Sequence, residues 1–126
     1  MIEFAVNGTL MRGLELNQNL LNVGAVFVRE DMTAPIYRLW SINDVHPAML
    51  RMNHGGQAIA LEIWQISADA LGKILLSEPA GLSIGKILLH SGNEVLGVLG
   101  EPFLCEGQKE ITSYGGWRAY TNRDVS

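Results

Sequence analysis

The run Ala58–Ile66 passes directly into Ser67–Pro79, and this junction limits the possible folds more than any other stretch. Ala58-Ile59-Ala60-Leu61-Glu62-Ile63-Trp64-Gln65-Ile66 is the clearest strand of the chain, with Ile59, Leu61 and Ile63 on one face. Glu62, Trp64 and Ile66 fall on the other face, where Glu62 is expected to point outward, the usual place for a strand carboxylate. Ser67 is then placed to cap a helix that begins at Ala68, and Asp69 lies near its positive end. Ala70, Leu71, Ile74, Leu75 and Glu78 follow at spacings of three and four, which puts them on or near one face. Pro79 stops the helix.

Around this unit the chain reads mostly as strands. Met1–Val6 sets Ile2, Phe4 and Val6 against Glu3 and Ala5, a period of two. Ala25–Glu30 is rich in β-branched and aromatic residues, and Ile36–Ile42 alternates as its expected hairpin partner. Ala48–Met52 is a short strand. Gly81–Leu89 and Glu94–Gly100 are joined by Ser91-Gly92-Asn93, a hairpin signal. Leu14–Val23 carries three asparagines and suits an irregular segment with one helical turn. The expected fold is α+β: a small mixed, mainly antiparallel sheet curled into a β-barrel, with one or two flanking helices. At 126 residues, 48% hydrophobic and 17% charged, positions 1–126 form a single domain with its own core.

Charge and composition exclude several functions. The net charge is −4, and the nine Lys and Arg are scattered, so nucleic acid is not an expected partner. No apolar run reaches membrane-spanning length, and no leader pattern opens the chain; a cytoplasmic protein without membrane contact is expected. The lone Cys105 precludes an internal disulfide and fits a reducing compartment. His46, His54 and His90 lack metal-ligand spacing, and neither a nucleophile elbow nor a phosphate-loop pattern occurs, so no metal or cofactor is expected.

Three stretches carry chemistry. Asn7-Gly8-Thr9-Leu10-Met11-Arg12-Gly13 encloses a short loop between glycines directly after the first strand. Successive amides in such a turn can hold an anion, and Thr9 and Arg12 add a hydroxyl and a positive charge suited to a carboxylate. The same spacing also suits an ordinary strand-to-turn connection. Glu78 ends a helix, where the dipole and burial both favour its protonated form and bring its pKa toward that of a neutral-pH acid/base; a solvated helix end is the alternative. Tyr114-Gly115-Gly116-Trp117-Arg118 concentrates aromatics beside flexible backbone, as a pocket wall or as a dock for the C-terminus.

Two family resemblances give these stretches a common context. Gly8–Gly13 resembles the Tyr-Gly-Ser/Thr-Leu-x-x-Gly loop of the γ-glutamyl cyclotransferase-like fold, and Trp64 and Glu78 keep the register of that family's catalytic Glu. The resemblance implies a small β-barrel, loop amides holding the substrate's carboxylate region, and Glu78 shuttling a proton. Thr33–Leu39, the block Gly55-Gly56 to Trp64, Leu82–Gly85 and Ile111–Tyr120 together resemble the C-terminal domain of allophanate hydrolase. That domain follows an amidase domain and is thought to assist decarboxylation of the amidase product. Asn7 stands where the cyclotransferase loop has Tyr, Leu75 where an Asp commonly precedes the Glu, and Leu10 where the allophanate family carries a His.

The resulting expectation is a stand-alone allophanate hydrolase C-terminal-like domain of urea or amide nitrogen metabolism. It would bind and transform a small carboxylate-bearing amide, ureido or γ-glutamyl compound. Gly8, Thr9, Leu10, Met11, Arg12 and Gly13 would hold the ligand, Tyr37, Tyr114 and Trp117 would shape the wall, and Glu78 would be the acid/base. The rival is a non-catalytic sensor, or a module docking on a separately encoded amidase. A homodimer paired through Gly97–Phe103 is a third expectation.

Overall fold

A computed structural model describes residues 1–123 and arranges them as eight strands, four short α-helices and one 3-10 helix, Thr112–Tyr114. The strands are β1 (Ile2–Val6), β2 (Val26–Met32), β3 (Tyr37–Ile42), β4 (His46–Arg51), β5 (Ala60–Ile66), β6 (Leu82–Leu88), β7 (Glu94–Gly100) and β8 (Lys109–Glu110). The helices are α1 (Asn17–Asn22), α2 (Ala68–Ser77), α3 (Pro102–Cys105) and α4 (Trp117–Thr121). One sheet has the order β2-β5-β1-β7-β6 and the other β4-β3-β8. Only β1 and β7 pair in parallel; the other pairings are antiparallel, so the mixed α+β class stands. No helix among the described residues is long and apolar enough to cross a membrane.

Among the described residues no continuous strand ladder closes the sheet into a barrel. The five-stranded sheet curls until its edge strands meet at Thr33 and Leu89, a single bridge. Ala34 N–H donates to Leu88 O and His90 N–H to Met32 O, each at 3.0 Å. The three remaining strands form a separate sheet against it. The expected β2–β3 hairpin is replaced: β2 pairs with β5, and β3 pairs with β4 from Tyr37↔Arg51 to Ile42↔His46. Thr33 explains the divergence. Its N–H donates to Ile59 O at 3.0 Å and its Oγ1 accepts from Ile59 N–H at 2.9 Å, which holds the connection on β5 and sends β3 into the other sheet. β7 lies between β1 and β6, paired along its length with β6 and with β1 at Leu96 and Gly97.

The core lies where these elements converge. Phe4, Leu39, Ile63, Ile66 and Ile87 are fully buried, and Ala70 and Ile74 add the inward face of α2. Ser67 caps α2 by accepting from Ala70 N–H at 3.1 Å. Cys105 behaves as a small apolar residue, with burial pushing its thiol up to about 11.

The C-terminal helix is tied to the β3–β4 turn. Asn43 and Asp44 have φ of 54° and 57°, and Val45 N–H closes the turn on Ile42 O. Tyr120, buried in the core, donates its hydroxyl to Asp44 Oδ1 at 2.6 Å. The same oxygen accepts from Ser41 at 2.6 Å, and these bonds hold the Asp44 carboxyl below its ordinary pKa. Tyr120→Phe should cost about 1 kcal/mol, one hydrogen bond to a solvated carboxylate, with little change in the urea m-value. Equilibrium urea unfolding measures it.

Candidate active site

A cavity of about 460 Å³ opens at the C-terminal end of β1. Six parts of the chain converge there: the loop Asn7–Leu10, Glu15 and Leu16 before α1, the turn Ile42–Pro47, Glu78 and Pro79 after α2, Leu82 of β6, and Val98 of β7. Sequence-distant elements reach one place because β1 is central in its sheet and its end lies beside Val98. Asn7 locks that arrangement, with its Nδ2 donating to Val98 O at 3.0 Å.

The loop has a one-sided hydrogen-bond pattern. Gly8 O accepts from Met11 N–H at 3.0 Å, Thr9 O from Leu16 N–H at 2.9 Å, and Leu10 O from Asn17 Nδ2 at 2.8 Å. The N–H groups of Gly8, Thr9 and Leu10 have no intramolecular acceptor among the described residues. Gly8 and Leu10 are buried, and a buried donor calls for a partner. Three consecutive open amides thus lie beside the cavity, and successive amides in a turn are a pattern that can hold an anion. Gly8 also permits the close packing: a Cβ there would stand 2.6 Å from Pro47 Cδ.

Glu78 lines the same cavity as the residue closing α2, with its N–H donating to Leu75 O. Burial raises its pKa, opposed by the smaller effect of a positive His46. His46, at the start of β4, was not singled out from the sequence because its partner is contributed by another turn. Its Nδ1 lies 3.0 Å from Pro47 O, a contact in which Nδ1 can only be the donor, since a carbonyl only accepts. Among the described residues no cluster of His, Cys, Asp or Glu could hold a metal ion.

The other expected site residues fall elsewhere. Arg12 is turned onto Glu62 and Glu30: its Nε donates to Glu62 Oε2 at 3.2 Å and its Nη2 to Glu30 at 2.9 Å. Its guanidinium stacks 3.7 Å from the Phe27 ring centroid. Gly13 follows Arg12 with φ +76° and makes the turn. Met11, Tyr114 and Trp117 line a second concavity, and Tyr114 packs edge-on against Tyr120. Tyr37 is in the core, its hydroxyl accepting from Leu88 N–H at 2.9 Å. The first cavity therefore brings together Gly8, Thr9, Leu10 and Glu78, while the Arg12 side chain and the three aromatics lie outside its lining.

Glu62 is the main departure from the sequence reading. It is 2% exposed rather than outward-facing. Its oxygens accept from Arg12 N–H at 2.9 Å, from Arg12 Nε, from Trp64 Nε1 at 3.2 Å and from Arg118 Nη2 at 3.2 Å. Arg118 also donates to Arg12 O at 3.1 Å. This carboxylate joins the far end of the glycine loop to β5 and α4.

Comparison with known proteins agrees with the blocks noted in the sequence. Residues 2–122 match the family model described as allophanate hydrolase C-terminal domain. Urea amidolyase of Saccharomyces cerevisiae is 30% identical over 131 residues, covering 94% of this chain. The chain spans about 7% of the length of the curated relatives it matches. Among solved structures, a uropathogenic E. coli-specific protein is 58% identical with a TM-score of 0.95, covering 98% of this chain and 97% of that one. Kluyveromyces lactis allophanate hydrolase superposes with a TM-score of 0.90 at 30% identity, over 95% of this chain and 21% of that one. With the match running almost from end to end, the chain belongs to the allophanate hydrolase C-terminal domain family.

Proposed function

We propose that the cavity binds a small carboxylated amide, ureido or γ-glutamyl compound and that Glu78 moves a proton within it. The observation that carries this reading is the loop's one-sidedness: among the described residues its carbonyls have partners and the amides of Gly8, Thr9 and Leu10 do not. Those amides would receive a carboxylate or the oxyanion that forms from an attacked carbonyl. Glu78 would take a proton from an attacking amine and return it to the leaving nitrogen, or protonate nitrogen as a carboxylated amide loses carbon dioxide. Both reactions need donors fixed toward negative charge and one carboxyl of raised pKa. Arg12 would act by holding the loop through Glu62, and Tyr114 and Trp117 by seating α4.

Thermal shift with γ-glutamyl dipeptides, 5-oxoproline, biuret and hydantoate tests the reading. A carboxylate-bearing compound should raise the Tm of the wild-type protein by mass action. Gly8→Ala, which drives a methyl into the Pro47 ring, should reduce that shift at least tenfold in apparent affinity. Equal shifts in both proteins would remove the loop from the site.

A second reading, docking on a separately encoded amidase, is favoured by the yeast relatives, where the matching segment lies within far longer chains. Co-elution with such an amidase at micromolar concentration would support it.

A further inference from the structure

We infer that the ligand of this cavity is an N-acyl amino acid or a similar monocarboxylate with an apolar arm, rather than a compact ureido acid or a dicarboxylate. The inference rests on the loop as a carboxylate site and adds what the remaining walls select. Beyond the loop amides, the cavity is walled by Ile42, Val45, Pro47, Pro79, Leu82 and Val98. These come from both sheets and from the end of α2. At about 30 Å³ per water the space holds roughly fifteen waters. A ureido acid of a few polar atoms would leave most of that wall wet, whereas an acyl chain would cover it.

The charge of the cavity points the same way. Among the described residues no Lys or Arg lines it, and Arg12, the cation nearest in sequence, is engaged by Glu62 and Glu30. Glu15 and Glu78 are its acidic groups and His46 the one side chain that can become positive. Three amides can neutralise one carboxylate. A second carboxylate would meet Glu78 or Glu15 without a fixed cation and would be repelled. Val45 and Leu16, 59% and 40% exposed, extend the apolar wall outward to the rim, where a longer chain would lie.

Calorimetric titration of the full chain with acetyl-, butyryl- and hexanoylglycine tests this, with hydantoate, malonate and hexanoylglycinamide as controls. The Kd should fall about three- to fourfold per added methylene until the rim is reached. Hydantoate and malonate should bind more weakly than acetylglycine. Leu16→Asn and Val45→Asn, both at exposed positions of the rim, should flatten the chain-length dependence. Equal affinity along the series, or tighter binding of hydantoate or malonate, would overturn the apolar arm and leave the carboxylate loop standing. Equal binding of hexanoylglycinamide and hexanoylglycine would overturn the loop reading instead. No binding by any compound would overturn both.

Discussion

Glu62→Ala should lower stability by about 2–4 kcal/mol, and Tm by roughly 10 °C, although Glu62 lies outside the cavity. The magnitude follows from its four donors. Removing the carboxylate leaves the buried Trp64 Nε1 and the Arg12 N–H without acceptors, and two guanidiniums without their shared anion. Arg12 and Arg118 have side chains 44% and 42% exposed, so both can recover water. That keeps the loss below that of a fully enclosed pair. Glu62→Gln should be nearly as harmful, because its NH₂ group would face a guanidinium that can only donate. Ligand affinity should fall with stability, since Glu62 anchors the loop at Arg12. A loss under 1 kcal/mol by urea unfolding would mean that the cluster behaves as a surface ion pair.

Glu62 also shows where sequence reading reached its limit. Period-two alternation placed the β5 side chains on two faces, but a face is solvent only if nothing covers it. Here α4 and the Arg12 turn, 56 and 50 residues away in sequence, cover that face. The strand-helix unit at Ser67, the β6–β7 hairpin and the α1 turn were legible because short-range signals set them: a cap, a glycine turn, an asparagine-rich run. Pairing of β3 was not, because a threonine hydroxyl redirected it by accepting from Ile59, 26 residues on and just before β5. The same distinction divides the candidate site. The glycine loop and the helix-ending Glu78 are local patterns and meet in one cavity. His46 joins them only through the packing of the second sheet, and Arg12 leaves them because a stronger partner, a buried carboxylate, lies on the other side of the loop.

Glu78→Gln should reduce turnover of whichever substrate the cavity accepts by about 10²–10⁴-fold while leaving the protein folded and able to bind. It should also raise Tm at neutral pH, which a mere surface carboxylate would not do. Burial raises the carboxyl's pKa in the folded chain above its ordinary 4.5, and the pull of a protonated His46 only partly offsets this. Ionisation is therefore costlier folded than unfolded. The stability that protonated Glu78 allows is complete below pH 4.5 and is lost as pH rises through the folded pKa. Glutamine keeps the shape and cannot ionise, so the Tm difference should be absent below pH 4.5, open as pH rises through the folded pKa and stay constant above it. A matched pair of melting curves from pH 4 to 8 measures it. If the difference stays flat while turnover collapses, Glu78 acts as an ordinary solvated carboxylate that contacts the substrate. If turnover persists and the difference opens as expected, Glu78 is buried in the cavity wall without moving the proton. Only both effects together make it the group whose burial sets its acidity for the reaction.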